Sequence, residues 1–218
     1  VSAAALSLNN VGGVRLDSNI ATTTGSPAYG VYVTTNEPVT ARFNTFRGPW
    51  TRAFQTDWNG ALLLRYNTVD SAQGAFDLAS SQVTMDSNVV RNGQFGVQFR
   101  HGSCDVLTCV VERNSFSQLT DFGVKATQVS ATVAALNNWW GSASGPRDSD
   151  PSGFDYYPTG QGVRVIDGAS GVGRVTYRPW LTSEPAGIGA PALFAAPLLA
   201  RAQFLAAGGS GALPPQER

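Results

Sequence analysis

The sequence has little charge and few of the residue types that most often carry chemistry. Only 14% of its 218 residues are charged, and 15 acidic and 15 basic residues leave no net charge. Such a chain has no electrostatic basis for binding nucleic acid or anionic membranes. Two cysteines and one histidine are too few for a structural zinc site. The body also has no uncharged apolar run of about 18 residues, so we expect no membrane span.

The two cysteines are the only clue to a cellular compartment. Cys104 and Cys109 lie close together in the segment SCDVLTC. A local disulfide between them would imply an oxidising environment. The alternative is a pair of free thiols, one of which faces the core. We favour the disulfide and therefore expect a secreted or cell-surface protein.

An internal repeat organises the first two thirds of the chain. Six asparagines mark it, at steps of 25, 23, 21, 26 and 24 residues: Asn19, Asn44, Asn67, Asn88, Asn114 and Asn138. A second motif follows about ten residues after each of the first five, reading YGVYV, RAFQT, GAFDL, FGVQF and FGVKA. The period is too short for two helices, and its β-branched and aromatic residues predict strands.

Stacked strand repeats of this kind form a β-solenoid. Parallel crossovers are right-handed in nearly all cases, so the prediction is an all-β, right-handed parallel β-helix of about six coils. Alternation within the strands predicts inward columns such as Val31, Phe54, Phe76, Val97, Val124 and Val39, Leu62, Val83, Cys109, Val133. The matching outward column is Tyr32, Gln55, Asp77, Gln98 and Lys125. Arg65 and Asp86 fall on adjacent coils and are expected to pair.

The repeated asparagines are best interpreted as a structural ladder. Stacked side-chain amides can hydrogen-bond to one another along the solenoid axis, and asparagine tolerates the left-handed backbone of a sharp turn. Glycosylation is the functional alternative, and we set it aside.

Two tryptophan-rich segments follow the last repeat. Residues 136–148 read LNNWWGSASGPRD, and residues 175–183 read VTYRPWLTS. They resemble the C-terminal end of bacterial and archaeal right-handed parallel β-helix repeat proteins, in the surface-protein branch of the pectate-lyase-like superfamily. The matching residues are Asn138, Trp139, Trp140, Gly141, Gly145, Pro146, Pro179, Trp180 and Leu181.

The resemblance extends over about residues 1–183 and implies a fold, not an activity. The same fold occurs in lyases, hydrolases, epimerases, adhesins and scaffold proteins. We expect β-helix coils over residues 1–138 and a C-terminal cap over 139–183. Large indoles can cover the apolar cross-section at the end of a solenoid. Trp139, Trp140 and Trp180 are therefore assigned to the cap, with carbohydrate stacking as the alternative.

Residues 184–218 are rich in Ala, Gly and Pro and form an apolar tail. A short helix is predicted from Pro197 to Ala207, ended by two glycines. If the tail is ordered, it has to pack on the solenoid flank or on another subunit, because it would otherwise expose an apolar face. The alternative is a linker.

A catalytic site is possible on the outward strand face, where β-helix enzymes that cleave polyuronates hold their acids. Asp57 and Asp77 lie on adjacent coils, and Arg100 could bind a uronate. These acids do not cluster as in a calcium-dependent lyase, and we expect the lone His101 to decorate a turn. The run RDSDPSGFD (147–155) has acids near calcium spacing, but it lacks the glycine and distal glutamate of an EF-hand loop. We therefore expect no cofactor, with calcium as a remote alternative.

A carbohydrate-binding surface is the third possibility. Trp50 and Trp58 lie in turn-like contexts, where their rings could stack on sugars. Tyr32, Gln98 and Lys125 would contribute from the outward column.

The leading hypothesis is a secreted or cell-surface module that binds, adheres or builds an assembly. The chain lacks an initiating methionine and a recognisable N-terminal cap, which predicts a processed or truncated piece of a longer chain. An uncovered first coil and an apolar tail favour head-to-tail self-association into a filament. Other surface proteins are alternative partners. A polysaccharide-active enzyme and a non-catalytic carbohydrate-binding module remain the alternative functions, and we lean against an enzyme.

Overall fold

The chain is built from strands throughout its described part. A computed structural model describes residues 4–57, 59–100, 103, 104, 109–127, 129, 131–151, 155–168 and 173–191. Its strands are β1 (Ala4–Asn9), β2 (Val14–Asp17), β3 (Ile20–Thr22), β4 (Tyr29–Thr34), β5 (Val39–Arg42), β6 (Thr45–Arg47), β7 (Arg52–Asp57), β8 (Asn59–Arg65), β9 (Thr68–Asp70), β10 (Gly74–Leu78), β11 (Ser80–Asp86), β12 (Val89–Phe99), β13 (Cys109–Glu112), β14 (Ser115–Lys125), β15 (Val133–Ala134), β16 (Val165–Ile166) and β17 (Val175–Thr176). These residues include no helix long and apolar enough to cross a membrane.

The strands form a parallel β-solenoid of about five turns. Each turn has three strands, and each strand pairs in parallel with its counterparts in the turns before and after it. The long strands β12 and β14 each provide the third strand of one turn and the first strand of the next. A sixth turn begins with the end of β14 and with β15, but its third side is only the bridge between Ser115 and Trp139. The short strands β16 and β17 then pair with the end of β14 and with β15. The sequence predicted about six coils, and the structure has about five turns.

The two inward columns of side chains form the core, as the alternation of residues along the strands predicted. Val31, Phe54, Phe76, Val97 and Val124 lie in register on successive first strands and are buried. The second strands stack Val39, Leu62, Val83, Cys109 and Val133, which are buried as well. Burying one such Val, Leu or Phe side chain contributes roughly 1.5–3 kcal/mol. No single turn can enclose these side chains, and this is why the turns must stack.

The six asparagines lie at the corner between the second and third strands and bond along the axis. The amide Nδ2 of each donates to Oδ1 of the next asparagine, at 2.9 Å for the first four contacts and 3.0 Å from Asn114 to Asn138. The backbone N–H of each asparagine donates to the same oxygen. Every polar group that points into this corner is thereby satisfied.

The left-handed residue of this corner is not the asparagine, which corrects the sequence-based expectation. It is the residue before it, at Ser18, Phe43, Tyr66, Ser87, Arg113 and Asn137, with φ between 54° and 59°. The asparagine side chain has to point inward to reach its neighbours, so the preceding residue makes the bend. Phe43 and Tyr66 adopt this unfavourable left-handed conformation in adjacent turns. Their rings are stacked, with the ring centroids 5.2 Å apart.

A disulfide and a returning segment hold the C-terminal half of the chain in place. Cys104 and Cys109 form a disulfide, with an S–S distance of 2.06 Å, and both are buried. Residues 181–191, the return segment, run back along the third strands from the sixth turn to the third. The N–H of Leu181 donates to Asn138 O, that of Gly189 to Ser87 O, and that of Ala190 to Thr68 Oγ1. The helix predicted from Pro197 to Ala207 lies outside the described residues.

Candidate functional site

The outward face of the first strands carries a continuous polar column. Tyr32, Gln55, Asp77, Gln98 and Lys125 pair in register on β4, β7, β10, β12 and β14. All are partly exposed except Asp77, which is buried. The alternation that sends Phe54 and Phe76 inward sends Gln55 and Asp77 outward. The polar column is therefore a direct consequence of the core.

Asp57, Asp77 and Arg100 come together beside this column. The Nη2 group of Arg100 donates to Asp57 Oδ1 and to the backbone oxygen of Thr56. Its Nε lies 2.8 Å from Asp77 Oδ1, as an ion pair without hydrogen-bond geometry. Asp57 lies two residues beyond Gln55, the register partner of Asp77, so the two acids are diagonal neighbours that Arg100 bridges.

The remaining oxygens of the two acids are also occupied. The hydroxyl of Tyr32 donates to Asp57 Oδ2 at 2.6 Å, and Nε of Arg52 donates to Asp77 Oδ2 at 2.9 Å. The bond to Asp57 raises the pKa of Tyr32. Each carboxylate is thus held by two neighbouring side chains. The arrangement joins four successive turns. The Asp77 Oδ1 atom accepts no hydrogen bond within the described part of the chain.

Similar ion pairs cross the turns elsewhere. The predicted pair is present: Nε of Arg65 lies 2.6 Å from Asp86 Oδ2, and Nε of Arg113 lies 2.9 Å from Asp86 Oδ1. Burial raises the pKa of Asp86, but hydrogen bonds from Arg113, Arg65 and Ser87 outweigh burial and lower it overall. In the first two turns, a hydrogen bond from Arg42 lowers the pKa of Asp17 to about 2.

The aromatic residues proposed for sugar stacking are placed differently from one another. Trp50 is 4% exposed and belongs to the core, which corrects its assignment to a sugar-stacking surface. Its indole therefore packs in the core instead of facing solvent. Tyr32, Gln98 and Lys125 do face outward. Trp58 and His101 lie outside the described residues.

The tryptophans after the last turn pack against the solenoid. Trp140 is fully buried, and its ring stacks on Phe116 at 5.3 Å. Trp139 is partly buried in the bridge to Ser115. Trp180 lies 5.2 Å from the ring of Tyr157, and its Nε1 donates to Ala143 O at 3.2 Å.

The described residues of the acidic run 147–155 include one buried acid, Asp148. Asp148 accepts hydrogen bonds from the N–H of Asp150 and from the hydroxyl of Tyr177, at 3.1 and 3.2 Å. Burial is the largest influence on Asp148 and raises its pKa. Within the described part of the chain, no group of three or more His, Cys, Asp or Glu residues could hold a metal ion.

A small pocket that the sequence reasoning missed lies between the third strands and the return segment. Its volume is about 240 Å³, and its lining is Thr45, Arg47, Thr68, Val89, Arg91, Ile188, Ala190 and Pro191. Arg47 and Arg91 flank Asp70 in register, and each of the three lies three residues after a ladder asparagine. The repeat period could have placed the two arginines on one face. The return segment that closes the pocket has no repeat signal.

The comparisons with known proteins give one match. A family model described as "Right handed beta helix region" matches residues 1–139. No curated protein and no solved structure matches the chain.

Proposed function

The chain belongs to the right-handed β-helix family, and from this we propose that it is a secreted or cell-surface module with a structural or adhesive role. The observation that supports the proposal is the way in which the acids on the outward face are held by neighbouring side chains. Asp57 and Asp77 are both held by Arg100, with Tyr32 and Arg52 on their other oxygens. A general acid or base has to exchange a proton with a substrate. Carboxylates clamped in this way suit a rigid scaffold better.

Incubation with a panel of polysaccharides tests the scaffold role against catalysis. We expect no release of reducing or unsaturated sugar. Asp77→Asn should lower the free energy of unfolding by about 1–3 kcal/mol, because it leaves the guanidinium groups of Arg52 and Arg100 poorly paired. Asp121→Asn, at an exposed acid on β14, is the matched control and should change little. Sugar release that Asp77→Asn abolishes and Asp121→Asn preserves would show an enzyme instead.

The disulfide supports the proposed location outside the cytosol. Disulfides persist in oxidising compartments and are rare among cytosolic proteins. Mass spectrometry after thiol alkylation of protein from its native source tests this point. We expect Cys104 and Cys109 to remain unalkylated without reductant. Full alkylation of both would contradict the proposed compartment.

Residues 139–183 are proposed to form the C-terminal cap. The buried ring of Trp140 stacks on Phe116, and a Cβ atom on Gly123 would lie only 2.9 Å from that ring. A Cβ atom on Gly145 would lie only 2.3 Å from the Trp180 ring. Such contacts would protect the apolar end of the last turn and its unpaired strand edges.

Self-association into head-to-tail filaments is the proposed form of assembly. Its support is the exposed apolar surface of the first turn, where Leu6 and Val11 are each 37% exposed. A head-to-tail contact whose rotation does not close extends into a filament. Sedimentation velocity should show species that grow with concentration, and Leu6→Ser should reduce them. A single monomeric species at high concentration would contradict the assembly.

Non-catalytic saccharide binding is the second candidate function, because Tyr32, Gln98 and Lys125 leave a polar strip facing solvent. Glycan-array binding that is lost in Gln98→Ala, with stability unchanged, would favour it over a purely structural role.

A further inference from the structure

The flank pocket stands apart from the outward face discussed above, and its polar groups are mostly hydrogen-bond donors. The guanidinium of Arg47 is exposed and makes no ion pair or hydrogen bond within the part of the chain that the structure describes. Arg91 uses Nε to reach Asp70 Oδ2 at 3.0 Å. The terminal nitrogens of Arg91 make no hydrogen bond to any described residue. The pocket therefore holds one unbalanced positive charge, together with N–H groups that still lack acceptors.

The threonines add donors at the base of the pocket. The hydroxyl of Thr68 accepts the Ala190 N–H at 2.9 Å, and this leaves its own proton available to donate. Thr45 is 8% exposed and lies next to it in register. The apolar part of the lining is Val89, which lies next to Thr68 in register, together with Ile188 and Pro191 of the return segment. A ligand that complements this pocket has an anionic group at one end and an apolar body at the other.

The return segment fixes the shape of the pocket. Gly189 has φ of +77°, and a Cβ atom there would lie 2.7 Å from Thr68 Oγ1 and 2.8 Å from Val89 Cγ2. The segment is therefore seated directly on the third strands at this position. The contacts that hold the return segment here are made to Thr68, Val89 and Ser87 and involve neither arginine. The charge and the shape of the pocket can therefore be altered separately.

We propose that this pocket binds a carboxylate attached to a small apolar body, with the carboxylate on Arg47 and Arg91 and the apolar part against Val89, Ile188 and Pro191. A guanidinium presents parallel N–H donors that match the two oxygens of a carboxylate. The volume of about 240 Å³ suits a small aromatic or aliphatic acid. The same chemistry occurs at the C-terminus of a peptide that ends in an apolar residue. This site is independent of the proposed structural role.

An NMR titration of the ¹⁵N-labelled full chain tests the site, with benzoate as probe and benzyl alcohol as the neutral analogue. We expect benzoate to shift the amide signals of Thr45, Thr68, Gly189 and Ala190 in a saturable way, and benzyl alcohol to leave them unchanged. Arg47→Gln should weaken benzoate binding about tenfold, because a charge-assisted contact is lost. Arg15→Gln removes one guanidinium from β2, away from the pocket, and should leave the affinity unchanged.

Two further arms complete the experiment. Gly189→Ala should weaken benzoate binding without removing a charge, because the return segment has to shift. A short peptide ending in Phe, compared with its C-terminal amide, distinguishes a peptide terminus from a free acid as the ligand. The proposal fails if no carboxylate shifts the pocket signals, if benzyl alcohol binds as well as benzoate, or if Arg47→Gln and Arg15→Gln behave alike.

Discussion

Each internal asparagine of the ladder accepts two hydrogen bonds through one oxygen. For Asn88, these come from the backbone N–H and the Nδ2 group of Asn67, both at 2.9 Å. Its own Nδ2 donates to Leu64 O and to Asn114 Oδ1. All of these groups are buried, so losing the side chain leaves partners that water cannot reach. Each buried donor without an acceptor costs about 1–3 kcal/mol.

Asn88→Ala should therefore lower the free energy of unfolding by at least about 2 kcal/mol. Asn19→Ala is the matched control. Asn19 begins the ladder, is exposed and only donates to Asn44. Its replacement should cost less than half as much. Urea unfolding followed by circular dichroism measures both values, and equal costs would mean that the ladder does not act as a buried network.

The lowered pKa of Asp86 predicts how the free energy of unfolding depends on pH. Its pKa is lower in the folded chain than the ordinary value of about 3.9. Its contribution is fully present above the unfolded pKa, and it is lost as the pH falls through the folded value. We expect the free energy of unfolding to decline below about pH 4, and Asp86→Asn to flatten that decline. An identical decline in the variant would contradict the assignment.

Asp148 affects the pH dependence of the free energy of unfolding in the opposite direction. Burial raises its pKa, so its folded form holds the proton more tightly than its unfolded form does. It therefore opposes folding as the pH rises above the ordinary pKa of about 3.9. Asp148→Asn keeps the hydrogen-bonding shape, and we expect it to remove this loss. The difference in unfolding free energy between variant and wild type should grow in favour of the variant from pH 4 to pH 6, as measured by urea unfolding. A constant difference would show that Asp148 is not responsible.

At the scale of the strands, the beginning of each first strand carries a second stacked column. Arg52 lies over the ring of Phe95 at 4.7 Å, and Phe95 stacks on Phe122 at 5.0 Å. Between Arg52 and Phe95 lies Gly74, in register with both. The ring of Phe95 occupies the space where a side chain on β10 would otherwise lie. Residue 74 therefore has to be a glycine.

Gly74→Ala should lower the free energy of unfolding by about 1–3 kcal/mol through overpacking. The added Cβ atom would lie 2.2 Å from the ring of Phe95. Gly12→Ala is the matched control, because its Cβ atom would meet no atom within 4 Å. Thermal unfolding of both variants measures the difference. A Gly74→Ala chain as stable as the control would show that the ring of Phe95 can move aside without cost.

The strand columns were predictable from the sequence because a strand places alternate residues on opposite faces. Val31, Phe54 and Phe76 could be aligned by their motif alone, and the structure places them in register. The same alignment predicted the pair between Arg65 and Asp86. Period and alternation are local properties, so a single sequence reveals them.

Other features depended on contacts that no local pattern encodes. Trp50 follows a Gly-Pro pair that reads as an exposed turn, yet its indole enters the core. The left-handed corner residue differs in type from turn to turn, from Ser18 to Phe43 to Arg113, so composition does not mark it. Ser115 donates to Glu184 across 69 residues. A contact of that separation has no counterpart in the repeat, and the flank pocket therefore stayed hidden.

At the scale of the whole molecule, most contacts join residues that are one turn apart. The ladder bonds span 21 to 26 residues, and the ion pairs of Asp17, Asp77 and Asp86 span similar distances. Stability is then close to a sum of turn and neighbour terms, as in other solenoids. The return segment joins turns that are distant in sequence, as in the bond from the Ala190 N–H to Thr68 Oγ1. Several arginines on the flanks form ion pairs with an acid on a neighbouring turn.

Six asparagines bond in one line through the stacked turns. A nuclear Overhauser spectrum of the ¹⁵N-labelled chain, read at the side-chain amide protons, tests this arrangement. We expect an unbroken series of contacts from Asn19 through Asn44, Asn67, Asn88 and Asn114 to Asn138, as their 2.9–3.0 Å hydrogen bonds require. Amide protons of Asn44, Asn67, Asn88 and Asn114 that exchange rapidly with water and show no contact with one another would contradict it.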